Sequence, residues 1–154
     1  GGINLKTLII YASIHHGNTE KIGKAMAKTL NAEIINVNDV NINNLQNYDL
    51  IGFGSGIYGG KFHKNMLDLI EKLPSVANKK TFIFSTSSME KKRYNSSIEE
   101  KLKEKGFEVI GSFTCKGYDT FGPFKLVGGI GKGRPNEEDI KKAVDFVKEI
   151  AKNY

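Results

Sequence analysis

Short apolar runs of strand length alternate with amphipathic helical segments along a chain of 154 residues. Runs rich in Leu, Ile, Val and Phe suit strands that are buried on both faces, and five of them cover residues 5–11, 32–37, 48–53, 80–84 and 107–114. Apolar residues at helical spacing follow residue 19, occupy 63–73 and about 95–105, and recur from residue 136 onwards, where Asn136 and Asp139 are predicted to form a variant of the capping box. This alternation predicts a doubly wound α/β fold, in which helices cover both faces of a parallel sheet.

One domain is expected over residues 3–154, because the length suits one core and no repeat or linker interrupts the pattern. Gly1 and Gly2 are interpreted as a remnant of cloning. No apolar run is long enough to span a membrane, and the run at 8–10 is too short for a signal-peptide core. A cytoplasmic protein is therefore expected, with a monomer favoured.

The net charge of +6 invites a test for nucleic-acid binding. The sequence has no zinc finger, RNP motif or long basic helix, so no nucleic-acid partner is expected. A single cysteine, Cys115, allows no internal disulfide and is interpreted as a small buried hydrophobe and not as a redox thiol. The three histidines lack metal-ligand spacing, so no metal site is expected.

The turn after the first strand combines two hydroxyls, a glycine and an asparagine, at Ser13, Gly17, Asn18 and Thr19. Asn18 or Thr19 is predicted to cap the following helix. A turn of this kind directs backbone N–H groups and the positive end of a helix at one spot, which is a phosphate site. A plain capped loop without a ligand explains the same residues about equally well.

Three further strand ends are polar and rich in glycine, at residues 54–60, 85–88 and 115–124. Ligands of doubly wound folds bind at the carboxyl ends of the strands, so these loops point to a cofactor site. The pattern Gly54-x-Gly56-x-x-Gly59 matches a dinucleotide fingerprint, but it follows the third strand and no acidic residue ends a strand about 20 residues later. We therefore do not interpret it as a dinucleotide-binding motif. Its glycines would still let the backbone approach a flat ligand.

Residues Ser13, Gly17, Asn18 and Thr19 match the motif T/S-x-x-G-N-T that holds the phosphate of flavin mononucleotide (FMN) in flavodoxins. The chain resembles a flavodoxin over essentially its whole length, in strand count, helix placement and loop character. The resemblance implies FMN as the cofactor and a five-stranded parallel sheet in the order 2-1-3-4-5.

The match has one departure, because three residues, Ile14, His15 and His16, separate Ser13 from Gly17 where the usual motif has two. The loop is one residue longer, so the resemblance does not fix which amides face the phosphate. His15 is interpreted as solvated, and His16 is left open between solvent and phosphate.

The same resemblance implies that Tyr58 and Ile57 form walls of the flavin ring site, with packing of Tyr58 on the following helix as the alternative. The segment from Gly56 to Gly60 would supply the peptide whose carbonyl meets the protonated flavin N5, and serines after the fourth strand would border the pyrimidine edge. Residues after the fifth strand, with Cys115 and Phe121, would form a lid or far wall. The implied contacts are Ser55, Gly56, Ile57, Tyr58, Gly59, Ser87, Ser88, Gly117 and Tyr118.

Residues 55–64 also resemble a loop of flavodoxin-like protoporphyrinogen oxidases, in which His63 and Lys64 would lie near a substrate. The favoured alternative is that His63 and Lys64 only open a helix on its exposed side. The predicted function is an FMN-binding electron carrier between redox partner proteins. The alternative is an FMN-dependent enzyme, either an NAD(P)H:quinone reductase or a protoporphyrinogen oxidase. A response-regulator-like module is set aside, because the first strand ends in Ser, His and Gly where that class needs acids.

Flavodoxins are typically acidic, whereas this chain is basic, and many of its basic residues follow the predicted strand ends. We interpret them as a positive collar that steers an acidic partner or an anionic substrate, with an ordinary solvated surface as a nearly equal alternative. The collar consists of Lys61, Lys64, Lys91, Lys92, Arg93, Lys116, Lys125, Lys132 and Arg134.

Overall fold

A parallel sheet of five strands forms the centre of the molecule in the computed structural model, which describes residues 5–13, 17–87, 93–116 and 133–154. The strands are β1 (Thr7–Ala12), β2 (Glu33–Asn36), β3 (Leu50–Tyr58), β4 (Lys61–Phe62), β5 (Lys79–Ser87) and β6 (Phe107–Lys116). The α-helices are α1 (Asn18–Leu30), α2 (Lys64–Lys72), α3 (Arg93–Glu104) and α4 (Glu137–Lys152). Two short 3-10 helices, Val37–Asp39 and Ile42–Asn47, occupy the polar link between β2 and β3.

The strand order in the sheet is β2-β1-β3-β5-β6, and all neighbours on this path are parallel. The two-residue strand β4 lies off the path and pairs antiparallel with β3. The five predicted strands are β1, β2, β3, β5 and β6, so their order is the expected 2-1-3-4-5. The doubly wound α/β prediction is confirmed.

Each face of the sheet packs against its own pair of helices, because successive strand residues point to opposite faces. One core holds alternate residues of β1, β3 and β5 together with apolar residues of α2 and α3, among them Ile10, Ile51, Phe53, Ile83, Met66, Ile70, Ile98 and Leu102. The other core holds the intervening strand residues with α1 and α4, among them Ile9, Leu50, Phe82, Phe84, Ile22, Met26, Ala143 and Val147. Within the described ranges, no helix is long and apolar enough to cross a membrane.

Three strands run further than the sequence predicts. Residues 54–58, 85–87 and 115–116 were expected in loops, but they continue β3, β5 and β6. Glycine is a poor strand former, yet here it makes room for aromatic rings of the neighbouring strand. A Cβ on Gly52 would lie 2.4 Å from the ring of Phe82, and one on Gly54 would lie 2.0 Å from the ring of Phe84. The face of Gly54 is filled by the protein's own aromatic ring, which corrects the expectation that it serves a flat ligand.

Candidate functional site

The carboxyl ends of four strands lie side by side at one edge of the sheet. Ala12 of β1 is paired with Ser55 of β3, Gly56 of β3 with Thr86 of β5, and Thr86 with Cys115 of β6. Neighbouring strands are about 4.8 Å apart, so the predicted site residues that follow or end these strands are brought together. Each helix follows a strand, so the first turns of the helices lie at this edge too.

Ser13 follows β1, and its hydroxyl is the polar group at this edge that most clearly needs a further partner. Its Oγ is shielded from solvent and has no hydrogen-bond partner among the described residues. Leaving a buried hydroxyl unpaired costs about 1–3 kcal/mol. A group that supplies an acceptor or donor here would remove that cost, so this hydroxyl marks a place for a ligand or for loop atoms that pair with it.

Gly17 occupies the cap position of α1 in the left-handed conformation, with φ 63° and ψ 32°, and as a glycine it has no side chain that could cap the helix. The prediction that Asn18 or Thr19 caps α1 is therefore wrong. Asn18 is the first helical residue, and Thr19 follows it. A side-chain cap would compete for the first helical N–H groups, which have no carbonyl partner within the helix. The start of α1 is thus well suited to an anion.

The hydroxyls of Thr19 and Thr86 form a hydrogen bond of 2.7 Å. Both residues are almost fully buried, with 1% and 3% of their surface exposed. Because Thr19 belongs to α1 and Thr86 to β5, this bond joins the first helix to the middle of the sheet edge. The sequence analysis did not single out Thr86, although its position in the polar run 85–88 is a signal that could have found it.

The carboxylate of Glu20, in the first turn of α1, is bound by two neighbouring side chains. Tyr11 donates its hydroxyl proton to Glu20 over 2.9 Å, and Lys24 forms an ion pair with Glu20 over 3.2 Å. The bonds from Tyr11 and Lys24 lower the pKa of the Glu20 carboxyl. Burial and the bond to Glu20 raise the pKa of the Tyr11 hydroxyl. The negative charge of Glu20 is thereby compensated locally, so it opposes a nearby anion less.

The hydroxyl of Ser55 holds the β3–β4 hairpin onto the start of α2. Ser55 is fully buried; its Oγ accepts from the backbone N–H of His63 over 2.8 Å and donates to the carbonyl of Gly56 over 2.6 Å. A hydroxyl used in this way serves the fold, so the structure gives the Ser55 side chain a bracing role. Its carboxyl-end position next to β1 is the one expected.

The Tyr58 side chain is half-buried and lies over Gly56 and against His63. A Cβ on Gly56 would lie 2.4 Å from the Tyr58 hydroxyl oxygen. The rings of Tyr58 and His63 meet edge to face, with centroids 5.5 Å apart. Tyr58 thus contacts the cap residue of the helix that follows, and its role as a wall of the flavin site stays a prediction.

His63 caps α2, since its Nδ1 accepts the N–H of Asn65 over 3.0 Å. Lys64 is the first residue of α2 and is exposed. His63 and Lys64 thus open a helix, as the favoured interpretation expects; a substrate role for them stays a prediction.

The hairpin turn at Gly59 and Gly60 lies at the outer rim of the site. Both glycines have positive φ, 61° and 80°, as the two central residues of a tight hairpin turn require. A Cβ on Gly59 would meet nothing within 4 Å. Tyr94, near the start of α3, comes to 4.0 Å from a Cβ placed on Gly60. Ile57 precedes the hairpin and is half-buried.

Asn95 is a second buried polar residue at this edge that the sequence analysis missed. Its Nδ2 donates to Ser112 Oγ over 2.8 Å and to the carbonyl of Phe113 over 3.1 Å. Because that carbonyl only accepts, the amide orientation is fixed. The Oδ1 of Asn95 is shielded and has no hydrogen-bond partner within the described ranges.

Of the remaining predicted residues, the structure describes Cys115 and Ser87. Cys115 is buried in the core on the α1 and α4 side, which confirms its interpretation as a small buried hydrophobe. Ser87 ends β5 and is half-buried. Ile14, His15, His16, Ser88, Gly117, Tyr118 and Phe121 lie outside the described residues. Among the residues that are described, no group of three or more His, Cys, Asp or Glu side chains could hold a metal ion.

Comparison with known proteins gives three findings. Residues 8–120 match the family described as the flavodoxin domain. The uncharacterized protein MJ0298 of Methanocaldococcus jannaschii is 54% identical over 151 residues, which are 97% of this chain and 100% of that protein. Oxidised flavodoxin 2 from Bacillus cereus has a TM-score of 0.76 at 24% identity, and the match covers 97% of this chain and 99% of that one.

A larger redox protein shares the fold as one of its parts. The rubredoxin oxygen:oxidoreductase of Desulfovibrio gigas has a TM-score of 0.71 at 14% identity, and the match covers 98% of this chain but 36% of that one. At such low identity the two solved structures show a shared fold.

Proposed function

This chain belongs to the flavodoxin domain family, and on that premise we propose that it binds FMN and carries electrons between redox partner proteins. The observation that carries the proposal is the shielded Oγ of Ser13, which has no hydrogen-bond partner among the described residues and lies beside the start of α1, where the cap residue Gly17 has no side chain. A phosphate group accepts hydrogen bonds at several oxygens and favours the positive end of a helix. Both features of this corner would be satisfied by the phosphate of FMN.

Different groups of residues in this chain bind different parts of the cofactor. Ser13, Thr19 and the backbone of Gly17 and Asn18 bind the phosphate, with 14–16 completing the loop. Ile57, Tyr58 and the hairpin turn bind the ring on one side, while Ser87, Ser88 and residues 117–118 border its other edges. FMN, when bound, supplies one- and two-electron redox chemistry. The protein orients the ring, limits water and shifts the relative stability of the oxidation states.

An electron carrier needs no acid, base or nucleophile, and the described part of the site supplies few. His63 uses its Nδ1 to cap α2, and the Glu20 carboxylate is engaged by Tyr11 and Lys24. The second candidate is an FMN-dependent oxidoreductase, acting on a quinone with NAD(P)H or on a protoporphyrinogen. It is favoured by the exposed Lys61 and Lys64 beside the hairpin, which suit an anionic substrate.

The partner proteins are proposed to be acidic at their docking faces. Lys61, Lys64, Arg93 and Lys116 are exposed and lie at or beyond strand ends on the site's edge of the sheet. Within the described ranges, the ion pairs involve Lys24, Lys103, Lys142 and Arg134, so Arg134 is the one described member of the predicted collar whose charge is paired. Uncompensated positive charge around a site attracts anionic partners and raises association rates.

The test is a titration of flavin-free protein with FMN and with riboflavin, followed by the absorbance spectrum. FMN is expected to bind at least about a hundredfold more tightly, because several charge-assisted hydrogen bonds to the phosphate are lost with riboflavin. Protein that binds neither flavin would contradict the proposal, and equal affinity would place the phosphate elsewhere. Steady-state oxidation of NAD(P)H with a quinone, or of protoporphyrinogen, would favour the enzyme over the carrier.

A further inference from the structure

The hydrogen bond between Thr19 and Thr86 joins two hydroxyls that neither helix nor sheet formation requires. The residues are 67 positions apart, and their oxygens lie 2.7 Å from each other in a buried environment. Two valines would fill the same space at nearly the same stability, because replacing both partners of a buried hydrogen bond by apolar groups of the same shape is close to neutral. The contribution of this hydrogen bond to folding stability therefore does little to explain why both positions carry threonine.

We propose that Thr86 is a positioning residue for phosphate, acting through Thr19; this inference rests on the proposed FMN site. Each hydroxyl has one proton, and either oxygen can be the donor in the pair. If Thr19 donates to Thr86, it presents only lone pairs to its surroundings, and these repel an anion. If Thr86 donates to Thr19, the proton of Thr19 is free to be donated to a phosphate oxygen.

An anion at the start of α1 therefore selects one of the two proton arrangements. In that arrangement Thr86 fixes the Thr19 side chain and polarises its hydroxyl, since hydrogen bonds in a chain strengthen one another. Thr86 lies in β5 between Gly56 of β3 and Cys115 of β6. Because Thr86 is fixed in the middle of the sheet, it can hold the Thr19 oxygen in place without a contribution from the phosphate loop.

The experiment compares Thr86→Val, Thr86→Ser, Thr19→Val and the double variant Thr19→Val/Thr86→Val. For each, the affinities for FMN and riboflavin and the urea midpoint of flavin-free protein are measured. Thr86→Val is expected to lower the midpoint, because it leaves the Thr19 hydroxyl buried and unpaired. It should weaken FMN about threefold to tenfold and leave riboflavin unchanged, while Thr86→Ser should restore both properties.

The double variant separates positioning from packing. Its urea midpoint should return close to that of the wild type, yet FMN should bind about ten to a hundred times more weakly and riboflavin as before. In the Thr19→Val background, adding Thr86→Val should not weaken FMN further, since Thr86 acts through Thr19.

A double variant that keeps the wild-type preference for FMN over riboflavin would overturn the inference, as would equal losses for both flavins in Thr86→Val. The proposed function fails in a different way, because there the wild-type protein itself shows no preference for FMN. A wild-type preference for FMN together with an indifferent double variant would reject the role of Thr86 and leave the FMN site standing.

Discussion

The two edges of the sheet differ in how their polar groups are paired by hydrogen bonds. At the amino edge, lysine side chains reach back to carbonyls that the elements leave free: Lys79 Nζ donates to the carbonyls of Leu45, Gln46 and Tyr48, and Lys105 Nζ donates to those of Glu71 and Leu73. At the carboxyl edge, Ser13 Oγ and Asn95 Oδ1 are shielded and lack partners among the described residues. The lysines thus pair free carbonyls of the first edge, whereas the second edge keeps two shielded polar atoms without partners among the described residues.

The glycines repeat this contrast. At the amino edge, a Cβ on Gly106 would lie 1.8 Å from the carbonyl oxygen of Val76. At the carboxyl edge, a Cβ on Gly17 would meet none of the described residues within 4 Å. Both have positive φ, 96° and 63°. One glycine permits close packing of the fold, while the other turns the chain into α1 without such a contact to the described residues.

The largest effect is expected from Gly106→Ala. The clash with Val76 and the positive φ should lower the free energy of unfolding by about 3 kcal/mol, measured by urea unfolding, with the affinity of the folded protein for FMN unchanged. Gly17→Ala should cost only about 1–2 kcal/mol but weaken FMN, because relieving the strain redirects the amides of α1. Gly17→Asn, which tolerates this conformation, is the control. Equal stability losses at Gly106 and Gly17 would remove the contrast between the edges.

Ser13→Ala is the change that tests whether the carboxyl edge is prepared for a ligand. The flavin-free protein should be as stable as the wild type or slightly more so, because an unpaired buried hydroxyl is removed. FMN should bind about 10–150-fold more weakly, equivalent to about 1.5–3 kcal/mol for one hydrogen bond to a charged group. Riboflavin titrations provide the control. A loss of stability without a loss of FMN affinity would show that Ser13 serves the fold.

The start of α4 lies at the same carboxyl edge, but there the side chains of Asn136 and Asp139 both have partners. Asn136 and Asp139 form a reciprocal capping box, which confirms the predicted one, and the guanidinium of Arg134 binds the buried Asp139 carboxylate. Burial alone would raise the pKa of Asp139, but the bonds from Arg134 and from the Asn136 backbone outweigh it and hold the pKa below its usual value.

Asp139→Asn should therefore cost about 1.5–3 kcal/mol of stability at pH 7. A carboxyl whose folded pKa is depressed stabilises the fold fully above its unfolded pKa of about 3.9, and that contribution is lost as the pH falls through the lower folded pKa. The difference between wild type and variant should thus shrink below about pH 4. Glu138→Gln, at an exposed residue of the same turn, is the control. A pH-independent difference between wild type and Asp139→Asn would contradict the assigned cause.

The smallest effect concerns charge at the two edges. Lys61→Glu/Lys64→Glu should slow reoxidation of the reduced, flavin-loaded protein by ferricyanide severalfold at low salt and little at high salt, because salt screens exposed charges. Lys148→Glu/Lys152→Glu makes the same charge change at the amino edge and should matter less. Equal slowing by both pairs would mean that net charge, and not a local collar, sets the rate.

The sequence by itself determined the doubly wound fold, the strand order by family resemblance, and the capping box of α4. These depend on the spacing of apolar and capping residues within short segments, and such spacing can be read along the chain. It also predicted a site at the carboxyl edge, since Ser13, Gly17 and Thr19 follow the first predicted strand.

Only the tertiary structure decided how residues distant in sequence share that edge. The ring of Phe84 fills the face of Gly54, which turned a predicted loop into strand. Gly17, and neither Asn18 nor Thr19, took the cap position of α1, and Thr19 found its partner in Thr86 across the sheet edge. Such outcomes depend on which side chains the strand register brings within contact distance, and that register is fixed by packing of the whole sheet and not by local sequence.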